Sequence, residues 1–263
     1  GINVYGDETS ANIHDVAEQM AAAGAIPSEA ANSVPNQNVT RTGYNEKYLM
    51  DYNTYNLKLG GTLAYKLTSN TTVSLEANWG KGNAVYTGAD RYSFKDFNIG
   101  QYKLQVDGKN FMLRAYTTQE NAGNAYNATV LGQLINEGWK SSTDWYPQFV
   151  GAYLQAKGGG LNDAQAYTAA RSFADNGMPQ PGSATFDQLK DKVSKLPIPQ
   201  GALFTDKSSL YNYEGFYNFS SLVKVIDLQA GANFRRYHLN SKGTLFDDQN
   251  EKLTVDQYGL FVQ

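Results

Sequence analysis

From Tyr55 onward the chain alternates between apolar and polar residues. Odd positions read Tyr55, Leu57, Leu59, Gly61, Leu63, Tyr65 and Leu67, and even positions read Asn56, Lys58, Gly60, Thr62, Ala64 and Lys66. A period of two predicts a strand with one apolar and one polar face. After Thr68-Ser69-Asn70-Thr71 the pattern resumes, with Val73, Leu75, Ala77 and Trp79 against Thr72, Ser74, Glu76 and Asn78. A third run sets Tyr102, Leu104 and Val106 against Gln101, Lys103 and Gln105. Asp107-Gly108 then predicts a tight hairpin turn with positive φ. The fourth run, Phe111, Leu113 and Ala115, has Met112 as a flaw on its polar side. Alternation returns in Tyr211–Phe219, where Phe216 interrupts the polar side, in Ile226–Phe234, and in a last run around Tyr258, Leu260 and Val262. Seven strands are predicted.

The joins alternate in length. Those near 68–71, 107–109 and 219–222 are short, whereas 83–91, 121–207 and 239–253 are long. Short turns at one end and long loops at the other are the layout of an outer-membrane β-barrel. The long segments carry helical signals of their own. Ile13, Val16 and Met20 have helical spacing that ends at Gly24 and Pro27; Asn162 caps a helix running to Asn176; Ser183 caps another with the stripe Phe186, Leu189, Val193, Leu196. An 87-residue connection of this kind is uncommon in a compact domain and usually functional. The predicted class is therefore all-β with helical loop insertions, arranged as a partial transmembrane antiparallel barrel. Its parts are a looped 1–53 with short helices, four strands in 54–120, a long helical loop in 121–207 and three strands in 208–263.

Composition narrows the function classes. The net charge of −3 lacks the basic face of a nucleic-acid binder. The chain has no cysteine, which removes disulfides, thiolate metal sites and Cys nucleophiles. Two histidines leave little for a His metal cluster or a Ser-His-Asp triad, and no Asp/Glu pair stands out for glycosidase chemistry. No metal, cofactor or enzymatic activity is expected. The longest apolar run, Met20–Ile26, is too short for a membrane helix, which needs about 20 residues. A strand barrel escapes that test.

Several phrases carry a family resemblance: Ile2-Asn3-Val4-Tyr5-Gly6-Asp7-Glu8, Arg41-Thr42-Gly43-Tyr44-Asn45-Glu46, Gly88-Ala89-Asp90-Arg91-Tyr92, Phe111-Met112-Leu113-Arg114-Ala115-Tyr116 and Leu239-Asn240-Ser241-Lys242-Gly243-Thr244-Leu245-Phe246. With them the chain resembles an internal piece of a Bacteroidetes-type TonB-dependent outer-membrane receptor of the SusC-related group. The resemblance implies a Gram-negative outer-membrane location and about seven of 22 barrel strands. It also implies capture and energised import of a large solute such as an oligosaccharide, peptide or chelate. Plug domain and TonB would be engaged through the rest of the chain, and a surface lipoprotein is a further implied partner. Neither a plug nor a TonB box matches here. The rival reading is a soluble or secreted β-sheet binding module, glycan-directed in one version.

Particular side chains acquire candidate roles. Tyr65, Trp79 and Tyr102 on the apolar faces fit a girdle at lipid headgroups, or the packing of a soluble β-core. Lys58, Lys66, Glu76, Lys103, Arg114, Glu214 and Arg235 fall mostly on the opposite face, to line a watery lumen or meet solvent. Trp139, Trp145 and Tyr146 offer flat rings for a bound solute. The alternative is a private core of the loop against Leu131, Leu134 and Ile135. Asp247, Asp248, Asn250 and Glu251 cluster oxygen ligands without EF-hand spacing, which fits a solvated acidic loop better than a calcium site.

Overall fold

The computed structural model describes residues 3–223 and 225–263; Ile2, which opens the first phrase of the resemblance, lies outside them. The chain begins with β1 (Val4–Tyr5), β2 (Ser10–Asn12), α1 (Ile13–Ala22), α2 (Ser28–Asn32), β3 (Asn38–Thr40), β4 (Tyr44–Asn45) and α3 (Glu46–Leu49). Four long strands follow: β5 (Asn56–Thr68), β6 (Thr71–Thr87), β7 (Arg91–Asp107) and β8 (Phe111–Asn121). The long connection holds β9 (Ala125–Asn127), α4 (Ala128–Trp139), α5 (Ser142–Gly158), α6 (Asp163–Ala174), α7 (Ala184–Lys195) and β10 (Leu203–Phe204). The chain closes with β11 (Ser209–Asn218), β12 (Gln229–Leu239) and β13 (Leu253–Val262).

All seven predicted strands form, and they run as one antiparallel meander from β5 to β13. Among the described residues β5 and β13 each pair on one side only, so the sheet is open and no closed barrel is present. The protein is mostly β with helical insertions.

Several local expectations need correction. Segment 83–91 is not a loop: β6 and β7 are 17 residues each and meet at a short turn, so this hairpin projects well beyond its neighbours. β12 starts at Gln229 rather than at Ile226, so ten residues separate it from the end of β11 at Asn218. Gly108 does not adopt positive φ. An added Cβ there would run into the Phe111 ring. The long connection holds four helices rather than two; the periodicity of α4 and α5 is obscured by Gly132, Gly138 and Pro147. The Asn162 and Ser183 caps form as predicted, Asn162 within a full capping box, although α6 ends at Ala174.

The two long segments fold as one module at a single end of the sheet. One core joins Ile13, Ala17 and Val39 of the first segment to Trp145, Phe149 and Ala170 of the second. A second joins Tyr44 and Leu49 to Leu131, Ile135, Phe186 and Val193. The segments touch backbone to backbone where Gly6, at φ +97°, crosses Gly132: a Cβ on Gly6 would sit 2.8 Å from the Gly132 carbonyl oxygen. Only glycines permit that approach.

Candidate functional site

Register places the apolar positions in continuous rows. Leu63, Leu75, Leu104, Ala115, Tyr213, Phe234 and Tyr258 are direct neighbours across all seven strands. The next row towards the short turns is Tyr65, Val73, Val106, Leu113, Gly215, Ala232 and Leu260. This face is open: Leu63 is 70% and Leu260 88% exposed.

Its border towards the module is oblique. Within β5 the apolar run reaches Leu57, six residues above the Leu63 row, with Tyr55 just before the strand, and on β6 it ends at Trp79, four above. On β7 and β11 it ends two above, at Tyr102 and Tyr211; on β8, between them, and on β12 and β13 it stops in the row itself, at Ala115, Phe234 and Tyr258. On β6, β7, β11, β12 and β13 the last apolar residue is aromatic. Beyond the border the same face carries Lys81, Asn98 (after Gly100), Thr117, Ser209, Arg236 and Asp256. Lys81 pairs with Asp96 at 2.9 Å and Arg236 with Asp256 at 2.7 Å. Tyr65 stands at the opposite margin, near the 69–70 turn.

The other face carries the charges, in cross-strand pairs. Lys103 meets Glu76 at 2.6 Å, and Arg114 pairs with Glu214. The two flaws in alternation belong to a single row, since Met112 and Phe216 are neighbours and Phe216 faces Gly231, over which the Phe261 ring lies.

The projecting β6–β7 hairpin has two different sides. Val85, Ser93 and Tyr126 continue the apolar face upward and are covered by the module, Tyr126 donating its hydroxyl to the Leu49 carbonyl at 2.9 Å. Tyr86, Tyr92, Phe94 and Phe97 continue the polar face and, with Phe204 of β10, form a ring cluster with centroids 5.6–6.4 Å apart. These rings belong to neither core of the module, and Tyr86 is 55% exposed. Phe94 and Phe97 share a face despite their spacing of three because a bulge intervenes, with Asp96 at φ 58°. That bulge hides the cluster from simple alternation, and reading 83–91 as a loop concealed Tyr86. Below the rings lies a row of uncharged side chains, Asn78, Gln101 and Thr118, facing Gly60, with the glycine positions Gly80 and Gly82 between.

The three loop aromatics sit elsewhere. Trp145 is 0% exposed, stacks on Phe149 at 5.3 Å and donates its ring N–H to Asp175 Oδ1 at 2.9 Å. Tyr146 is buried and donates to the Thr9 carbonyl at 3.0 Å; burial pushes its phenol up to about 12. Trp139 is half-buried and donates to Asn136 Oδ1 at 3.1 Å. The two indoles also flank the buried Arg41 guanidinium, at 5.8 and 5.7 Å. Their flat faces are thus spent on Arg41 and on the α1–α5–α6 core, not on Leu131 and Ile135, which belong to the other core. Arg41 itself donates to Glu137, Ser142 and the Asn136 carbonyl. In the sequence it stands only as the first residue of the Arg41–Glu46 phrase, with no sign of burial.

Asp248 is likewise occupied. It accepts from the Ser241 hydroxyl at 2.6 Å, from the Gly243 amide at 2.6 Å and from the amides of Ser241 and Lys242. Its carboxylate is turned into its own loop instead of towards a cation.

Scans against protein-family models, curated proteins and solved structures find no match.

Proposed function

We propose that this chain is the lipid-facing wall and extracellular module of an outer-membrane transporter, of the TonB-dependent kind that its sequence phrases resemble. The carrying observation is the oblique apolar band with its aromatic border. Across six strand-to-strand steps the border falls by six residues. At roughly 3.3 Å per residue and 4.8 Å per strand this is ~20 Å over ~29 Å, a slope of about 35°. A flat bilayer surface cuts tilted barrel strands at such an angle, since their tilt is about 35–45°. In water the same face would be an apolar patch far larger than the few hundred Å² that soluble proteins usually expose. In lipid it is satisfied, with Trp79 and Tyr102 at one headgroup level and Tyr65 at the other.

The unpaired edges of β5 and β13 fit this reading, because a spanning sheet must close to satisfy its backbone, here through strands outside this sequence. The opposite face, with its paired charges, lines the lumen. Imported solute, plug and TonB would meet that face or the remainder of the receptor, and a surface lipoprotein would meet the module.

The test is Leu63→Arg in the full-length receptor, set against Lys58→Leu. Arg near the bilayer midplane costs about 2–4 kcal/mol, so Leu63→Arg should lose the heat-modifiable gel mobility of a folded barrel while Lys58→Leu keeps it. Equal behaviour of the two variants would rule out this assignment of faces.

A further inference from the structure

We infer that the 219–228 join is a membrane-embedded turn, seated among the headgroups and upper acyl chains of the leaflet opposite the module. The inference rests on the transporter reading for the presence of a bilayer. Its own support is the slope of the sheet and the chemistry of the join.

The first observation is where the far border of the apolar band runs. The border on the module side falls by six residues over the six steps from β5 to β13, about one residue per step. The two surfaces of a bilayer are parallel, so the far border falls at the same rate. On β5 the band ends at Leu67, the last apolar residue of the strand. One step on, the far border reaches β6 at the level of Asn70; two and three steps on, it reaches β7 and β8 at the levels of Asn110 and Gly108. These levels fall in the turns themselves, and both turns are polar, Ser69-Asn70 and Gly108-Lys109-Asn110. Four and five steps on, register carries the border to the level of Ser221 after β11 and of Val225 before β12. Here the strands stop short, at Asn218 and Gln229. The join has to cover the remaining three to four residues of depth, ~10–13 Å along strands tilted by ~40°, or ~8–10 Å along the bilayer normal.

The second observation is composition. Phe219, Leu222, Val223, Val225, Ile226 and Leu228 make the join apolar, where the other two turns have no apolar residue. Leu222 is 69%, Ile226 58% and Val225 91% exposed. Phe219 prolongs the lipid-facing side, its ring 4.8 Å from that of Tyr217 in the last paired row of that face. Apolar residues thus appear in the one turn that the slope places inside the band. Interfacial elements bury their apolar side about 5–10 Å into the boundary of headgroups and acyl chains, which is the depth left to this join.

The third is the backbone, whose unpaired amides would be costly in lipid. Phe219 N–H donates to the Leu228 carbonyl at 2.7 Å, and the Leu222 and Val223 N–H groups donate to the Phe219 carbonyl at 2.8 and 2.9 Å. Ser220 N–H donates to Asn218 Oδ1 at 2.8 Å, and the Ser221 hydroxyl accepts from Asn110 at 2.7 Å. The join closes its polar groups on itself and on the neighbouring turn while its apolar side chains stay outside.

The experiment uses the full-length receptor, in a background free of other cysteines, reconstituted into vesicles of phosphatidylethanolamine and phosphatidylglycerol. Single variants Val225→Cys, Lys109→Cys and Leu63→Cys carry an environment-sensitive fluorophore on the thiol. The quenchers are iodide on both sides of the membrane and lipids bearing a nitroxide near the top or near the end of the acyl chain. At position 225 the shallow nitroxide should quench most strongly, and iodide should quench several-fold less than at position 109. The proposal is overturned if iodide quenches the two positions alike, which puts the join in water. It is equally overturned if position 225 is shielded from iodide and from both nitroxides, which puts the join against protein. Position 63 keeps the two readings apart. A label there that no nitroxide reaches defeats the transporter reading, whereas a quenched position 63 beside an unquenched position 225 defeats only the embedded turn.

Discussion

At the scale of single residues, the module is held by polar groups surrounded by their partners. Glu46, buried at the start of α3, accepts from Asn3, Tyr52 and Arg91, which ties the first segment to the top of β7. Burial works to raise its pKa, but the donors from Tyr52, Asn3 and Arg91 outweigh it and hold the carboxyl below the usual range. Asp248 follows the same balance more strongly. Desolvation opposes its charge, while donors from Ser241, Gly243 and Lys242 bring it down to about 2. An unfolded aspartate titrates near ~3.9. Order in the 240–252 loop is therefore fully supported above that value and is lost as pH falls from about 4 towards 2. Hydrogen exchange at the Gly243 amide should show protection at pH 5 that fades over this window. In Asp248→Asn, which keeps one acceptor oxygen but loses the charge, the protection should already be reduced at neutral pH. A protection factor flat from pH 5 to 2 would show that the carboxylate does not organise the loop.

At the scale of elements, the strands were legible because one physical constraint, an apolar face next to a polar one, is imprinted on every second residue. The flaws were legible only with register in hand, since Met112 and Phe216 look like errors until β8 and β11 are paired. The β6–β7 extension was lost because a bulge shifts the phase by one residue at Asp96. Helices α4 and α5 escape the periodicity for a different reason. Their apolar residues serve cores contributed by distant segments, and Trp139, Trp145 and Tyr146 read as solute contacts or as a private core of the loop until α1 and α6 pack around them. The aromatic content of α5 is thus structural in the first instance. Trp145→Ala should cost about 3–5 kcal/mol of module stability, as large core truncations do, leaving the strands of the sheet intact. Limited proteolysis should then cut within 140–176 far faster than in the parent, with heat-modifiable mobility unchanged. Equal cutting rates would mean that the indole is dispensable to this core.

At the scale of the whole molecule, the two ends of the sheet differ in what they can carry. At one end β5–β6 and β7–β8 are joined by residues 69–70 and 108–110, and the longest join is the ten residues of 219–228. At the other end stands a module with two cores, built from segments separated in sequence by the four strands β5–β8 and stapled by Gly6 against Gly132. Outer-membrane barrels keep short turns in the periplasm and long loops outside, so the transporter proposal expects the module, and the ring cluster beneath its edge, on the cell surface. Gly158, Gly159 and Gly160 are exposed at the end of α5, and a Cβ on Gly158 or Gly160 would meet nothing within 4 Å. An epitope inserted there disturbs neither core. In the full-length receptor it should bind antibody on intact cells while mobility stays heat-modifiable. Binding seen only after the outer membrane is permeabilised would invert the topology, and with it the leaflet that residues 219–228 meet.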